Sequence, residues 1–175
     1  MKKFLAALLL FFAFAESVDA QTVEEIKDAY KMQEHVEGGY FAEIYTSPFN
    51  REDRPTAGSI YFLLDKEDIS HFHQIDCDEI WYYHAGCGMK IIALSGGQVK
   101  EFLLGVEAGQ NPMVAISAGT IFAAENIDKE SFTFISCMTT PRFNYKGFRL
   151  VTVGELKKNY PDLPAQILSM AYEKI

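Results

Sequence analysis

Cysteine is scarce in this chain. Three residues, Cys77, Cys87 and Cys137, cannot all pair within one molecule, which excludes a disulfide framework as the source of stability. Cys77 and Cys87 stand ten residues apart along what reads as one strand, and at about 3.3 Å per residue the roughly 30 Å between them is far beyond disulfide reach. Any internal bridge would have to use Cys137, and buried reduced thiols are the expected state. Positive charge is also in short supply: 16 Lys and Arg face 24 Asp and Glu, for a formal net charge of −8. No basic stripe or block of like charge interrupts that balance. Nucleic acid and an anionic membrane surface are thereby excluded as partners, and a neutral or cationic ligand is left. Internal repeats, low-complexity linkers and a second domain are absent as well. What remains, 49% hydrophobic and 14% aromatic over 175 residues, is enough for one real core.

The longest apolar run stands at the start. Lys2 and Lys3 precede FLAALLLFFAFA, Phe4 to Ala15, and ESVDA follows with Val18 and Ala20 as the small residues before a cleavage point. These are the parts of a secretory signal. Twelve residues make a helix of about 18 Å, too short for a bilayer core of about 30 Å. The expectation is a signal peptide over residues 1–20, a single domain over 21–175, a secreted or periplasmic location, and no stable membrane span after cleavage.

Thr22-Val-Glu-Glu25 is a capping box that opens a short amphipathic helix over Val23 to Gln33. From Glu37 onward the texture is that of strands: GGYFAEIYTS, GSIYFLLD, EIWYYHAG, MKIIALSG, VKEFLLG, PMVAISAG, TIFAAEN, SFTFISCMTT and FRLVTV. Gly, Asn, Asp or Pro breaks most of the joins, and SGGQ at Ser95 to Gln98 predicts a tight hairpin. Short strands at near-regular spacing with no intervening helices predict an all-β sandwich or barrel. GELKKNY and the segment Pro164 to Tyr172 predict one or two C-terminal helices.

Three of the four histidines lie in SHFHQIDCDEIWYYHAG, Ser70 to Gly86. Residues two apart on a strand share a face, so His71 and His73 are expected to converge. With Glu79 from the next strand they would form a two-histidine, one-carboxylate set suited to Fe, Mn, Ni or Zn. Parity puts Glu79, Trp81 and Tyr83 on one face of their strand and His84 on the other.

HFH, five residues, Glu79, six residues and Gly86 resembles the first motif of the cupin superfamily. The second motif is similar at SAGTIFAAEN, where Gly119 and Asn126 are present but Ser117 stands for proline and Phe122 for a histidine. HVEGGYFAEIY, SIYFLL and SCMTTPRFNYKGFRL extend the likeness, in order, to one branch, and the chain is identified as a member of the cupin_5 (DUF985) family from about His35 to Leu150. Val36 and Ala42 depart from its opening signature, where proline and a basic residue are usual. The resemblance implies a double-stranded β-helix, or jelly roll, a metal held by His71, His73 and Glu79, and a homodimer. It also implies a distant likeness to jelly-roll sugar-nucleotide epimerases, which work without metal through a histidine base and a tyrosine acid.

Three functions are open on this reading, all on a small, carbohydrate-related molecule in the barrel. The first is a metal-dependent isomerase, epimerase or oxygenase with one divalent ion. A metal-free enzyme would instead use His73 as base and Tyr40, Tyr61 or Tyr83 as acid. The third is a binding protein without chemistry. Glu43, Trp81 and Phe122 are the expected ligand contacts.

Overall fold

A computed structural model describes residues 21–175, and the expected signal peptide lies outside the described residues. Helix α1 (Val23–Tyr30) begins at the capping box: Thr22 Oγ1 accepts from the Glu25 amide at 3.3 Å, and the Glu25 carboxylate accepts from the Thr22 amide at 2.8 Å. Then follow β1 (Gln33–Glu34), β2 (Tyr40–Thr46), β3 (Asn50–Arg51), β4 (Arg54–Pro55), β5 (Gly58–Asp65), β6 (Ile69–Gln74) and β7 (Asp78–Gly86). The chain continues through β8 (Met89–Ser95), β9 (Gln98–Leu104), β10 (Met113–Ile116), β11 (Ile121–Asn126) and β12 (Phe132–Thr140). A 3-10 turn (Tyr145–Gly147), β13 (Arg149–Leu150), α2 (Val153–Asn159) and α3 (Ala165–Leu168) complete it.

Two antiparallel sheets face each other, one of six strands in the order β1-β2-β5-β12-β7-β10 and one of five in the order β13-β6-β11-β8-β9. This is the jelly roll. Phe62, Leu64, Trp81, Ile91, Phe122 and Ile135 fill the space between the sheets. Both outer faces are also covered. Helices α2 and α3 close over Phe72, Ile92, Ile121 and Ala123 of the five-stranded sheet. Helix α1 lays Ile26 over Leu63 and Phe134 of the other. Two-sided burial explains why strands such as IFAA in β11 are apolar throughout rather than alternating. At the β8–β9 hairpin, Gly96 and Gly97 take φ of 57° and 77°, as the SGGQ signal requires.

The FRLVTV segment pairs only over Arg149–Leu150, because Thr152 leaves the sheet to cap α2, accepting from the Glu155 amide at 3.3 Å. The small β3–β4 hairpin has no periodicity in the sequence to announce it. All three cysteines are free, with Cys77 and Cys137 buried and Cys87 half-buried. Among the described residues no helix is long and apolar enough to cross a membrane.

Candidate functional site

A cavity of about 500 Å³ opens between the sheets, lined from β1, β2, β5, β6, β7, β12 and the segment after β12. Among its lining residues is Glu37, on the loop joining β1 to β2. This loop is fastened onto β6. The Glu37 carbonyl accepts from the His71 amide at 2.8 Å and lies 2.7 Å from His71 Nδ1, while Gly38, at φ 106°, approaches the Ile69 carbonyl too closely for any Cβ. The Glu37 carboxylate is enclosed in turn. Ser70 Oγ donates to Oε1 at 2.8 Å, and Oε2 lies 3.3 Å from His35 Nδ1 and 3.4 Å from His73 Nε2. Burial opposes charge on Glu37, but His73, His35 and the Ser70 hydroxyl outweigh it and hold the carboxyl below its usual range.

The two histidines of β6 part company. Opposite β11, Phe122 pairs with His73 and Ala124 with Ser70, so one extra residue is inserted in β6. Such a bulge breaks the two-residue parity of a strand. Ser70 and His73 both reach Glu37, whereas His71 does not line the cavity: its ring stacks on Tyr172 at 3.9 Å and 15°. His73 is tied at both nitrogens, with Nδ1 2.7 Å from the His71 carbonyl and Nε2 toward Glu37. Phe122 backs its ring at 4.1 Å and does not line the cavity.

On β7 the expected parity holds, with Glu79 and Trp81 lining the cavity and His84 exposed on the opposite face against Phe134. Burial, and then the charge of Glu37, push the Glu79 carboxyl up to about 7. The Trp81 indole and the Cys137 thiol lie near enough to temper that rise, and Trp81 Nε1 itself makes no hydrogen bond to a described residue. Burial and the two glutamates also raise the Cys137 thiol well above its ordinary value, so it stays protonated.

The three expected tyrosines lie elsewhere. Tyr40 and Tyr61 pack on the α1 side, under Lys27 at 4.0 Å and against Tyr30 at 4.5 Å. Tyr83 packs beside the core and donates its hydroxyl to the Gly86 carbonyl at 2.6 Å. Tyr45 and Tyr145 are the tyrosines that line the cavity, and Tyr145 Oη stands 3.4 Å from His35 Nε2. Glu43 lines the cavity as expected, and both its oxygens accept from Arg142 Nη2 at 3.0 Å. His35, Glu37, Arg142 and Tyr145 carry no site expectation in the sequence, and Cys137 is marked there only as a possible disulfide partner. The available signal for the first two was HVEGGY, where paired glycines mark a backbone brought close to its neighbour.

The donor set does not fit the expected metal. His71 faces Tyr172, Phe122 replaces a possible ligand, and among the described residues no group of three or more His, Cys, Asp or Glu is arranged to hold an ion. The arrangement instead provides two buried carboxyls of different proton affinity and a tyrosine hydroxyl in contact with a histidine.

The profile of Cupin_5, described as Cupin superfamily (DUF985), matches residues 24–151. The chain belongs to this family. Among solved structures, this Cupin_5 chain is similar to protein SO0799 of Shewanella oneidensis, with 30% identity and a TM-score of 0.84 over 89% of this chain and 100% of that one. It is similar to a hypothetical protein of Leishmania major at 28% identity and a TM-score of 0.78, covering 87% of this chain and 100% of that one. It is also 25% identical over 146 residues to the uncharacterized protein YML079W of Saccharomyces cerevisiae, 71% of this chain and 73% of that protein.

Proposed function

We propose that this cupin binds a small neutral, carbohydrate-related molecule in the barrel cavity and acts on it as a metal-free isomerase or epimerase. The observation that carries the reading is the pairing of Glu79 with the enclosed Glu37 in one cavity, two carboxyls whose surroundings drive their proton affinities apart. Glu79, titrating near neutrality, takes a proton from a C–H beside a substrate carbonyl. The hydroxyl of Tyr145, kept protonated by burial and by Glu37 and Glu43, supplies a proton to the substrate. His35 orients that hydroxyl, and His73 and Ser70 hold Glu37 in place.

The basic start, apolar run and V-x-A ending of residues 1–20 support export. We also propose a homodimer, supported by exposed Val99 and Met113 on the edge strands β9 and β10. The function is tested by incubating chelator-treated protein with a panel of aldoses and ketoses in D2O. Deuterium entering a C–H position with wild type and falling at least about 100-fold with Glu79→Gln is expected. Exchange that appears only after metal is restored, or is unchanged in Glu79→Gln, contradicts the reading.

A further inference from the structure

Trp81 is the only tryptophan of the chain, it is 1% exposed, and its Nε1–H is buried with no hydrogen-bond partner among the described residues. An indole N–H is a donor only, and leaving one buried and unpaired is unfavourable. Glu79, two residues away on the same face of β7, also lines the cavity, with the Trp81 indole and the Cys137 thiol close to its carboxyl but no hydrogen bond of good geometry to either. An indole donor without a bonded acceptor therefore stands beside a carboxyl that only it and the Cys137 thiol approach.

We propose that Trp81 Nε1–H and the Glu79 carboxyl together form a subsite for one uncharged hydroxyl of a neutral polyol. A hydroxyl can accept from the indole and donate to the carboxylate at once. An ammonium group can donate to Glu79 but cannot accept from Trp81. A ligand carboxylate or phosphate could accept from Trp81, but it would meet the charge of Glu37. Its natural counter-ion, Arg142, is already held by both oxygens of Glu43. Phe62, Ile60 and Ile75 line the same cavity and offer an apolar wall to the C–H face of a ring. The inference rests on the cavity being the ligand site, and it names the class of ligand.

The lone indole gives a single 1H–15N cross-peak, which serves as the reporter. Full-length 15N-labelled protein is titrated with myo-inositol, methyl α-glucopyranoside, choline and gluconate. The neutral polyols are expected to move the Trp81 peak saturably and downfield in 1H. Trp81→Phe is expected to weaken their binding, read by saturation-transfer NMR, about tenfold, the equivalent of one hydrogen bond of about 1.4 kcal/mol. Should Trp81→Phe not fold, the wild-type titration decides by itself. A peak moved by choline or gluconate and not by the polyols overturns the hydroxyl subsite while leaving the cavity a ligand site. A peak unmoved by every probe, as when only water fills the gap, also overturns it. Polyol binding without deuterium exchange upholds the subsite and removes the proposed chemistry, so the two readings fail separately.

Discussion

Glu79 carries a cost in its ionised form that its neighbour Glu37 does not, because the two histidines and the Ser70 hydroxyl hold the charge of Glu37 more firmly than the Trp81 indole and the Cys137 thiol hold that of Glu79. Its carboxyl rises from 4.5 to about 7 on folding. Below 4.5 both states hold the proton and stability is unaffected. As pH climbs through that value the unfolded chain releases its proton while the folded chain keeps it, so stability falls until about pH 7 and then levels. Glu79→Gln removes this slope. In urea melts it is expected to match wild type near pH 4 and exceed it by about 3 kcal/mol at pH 8. Parallel curves for the two proteins would show that Glu79 titrates normally. Removing the facing charge with Glu37→Gln is expected to move the Glu79 midpoint downward, since that charge is the second cause of the rise.

The elements matter through two departures from ideal geometry. The bulge in β6 sends His71 to Tyr172 and His73 to Glu37. His71→Phe keeps the stacking surface and is expected to leave polyol binding unchanged at a stability cost of about 1 kcal/mol, whereas His73→Ala weakens that binding at least about tenfold; calorimetric titration beside thermal melts checks both. Equal loss in the two variants would mean that they act together. The loop carrying Glu37 depends on Gly38, whose positive φ and contact with the Ile69 carbonyl leave no room for a side chain. Gly38→Ala is expected to cost about 3 kcal/mol or more, read from urea melts, and to loosen Glu37 with it. These departures also mark where the sequence stops being legible. Strand parity places Glu79 and Trp81 on β7 because that end of the strand is regular, and the bulge opposite Phe134 and Ile135 comes only at His84. It fails on β6 because a bulge arises from pairing with β11, which no local pattern in SHFHQ records. The tyrosines fail for a similar reason. Tyr40 and Tyr61 lie on stretches with apolar or aromatic residues on both faces, so residue type did not reveal that theirs is the face under α1.

At the scale of the whole molecule, the main strands and the N- and C-terminal helices are readable from periodicity and caps, and the jelly roll from motif order, while the β3–β4 hairpin is not. The cavity's centre was not, since it is assembled from the β1–β2 loop, β6, β7 and the segment around Tyr145, distant in sequence. The charge of the molecule agrees with that of its cavity: a net −8 overall, and Glu34, Glu37, Glu43 and Glu79 around one paired arginine inside. The chemistry proposed for this cavity turns on Glu79 exchanging its proton near neutrality. Carboxyl 13C NMR of protein labelled at glutamate, with the Glu79 signal assigned by its loss in Glu79→Gln, measures this directly. A midpoint near 7 is the predicted result. A midpoint in the ordinary glutamate range of about 4–5 would contradict it.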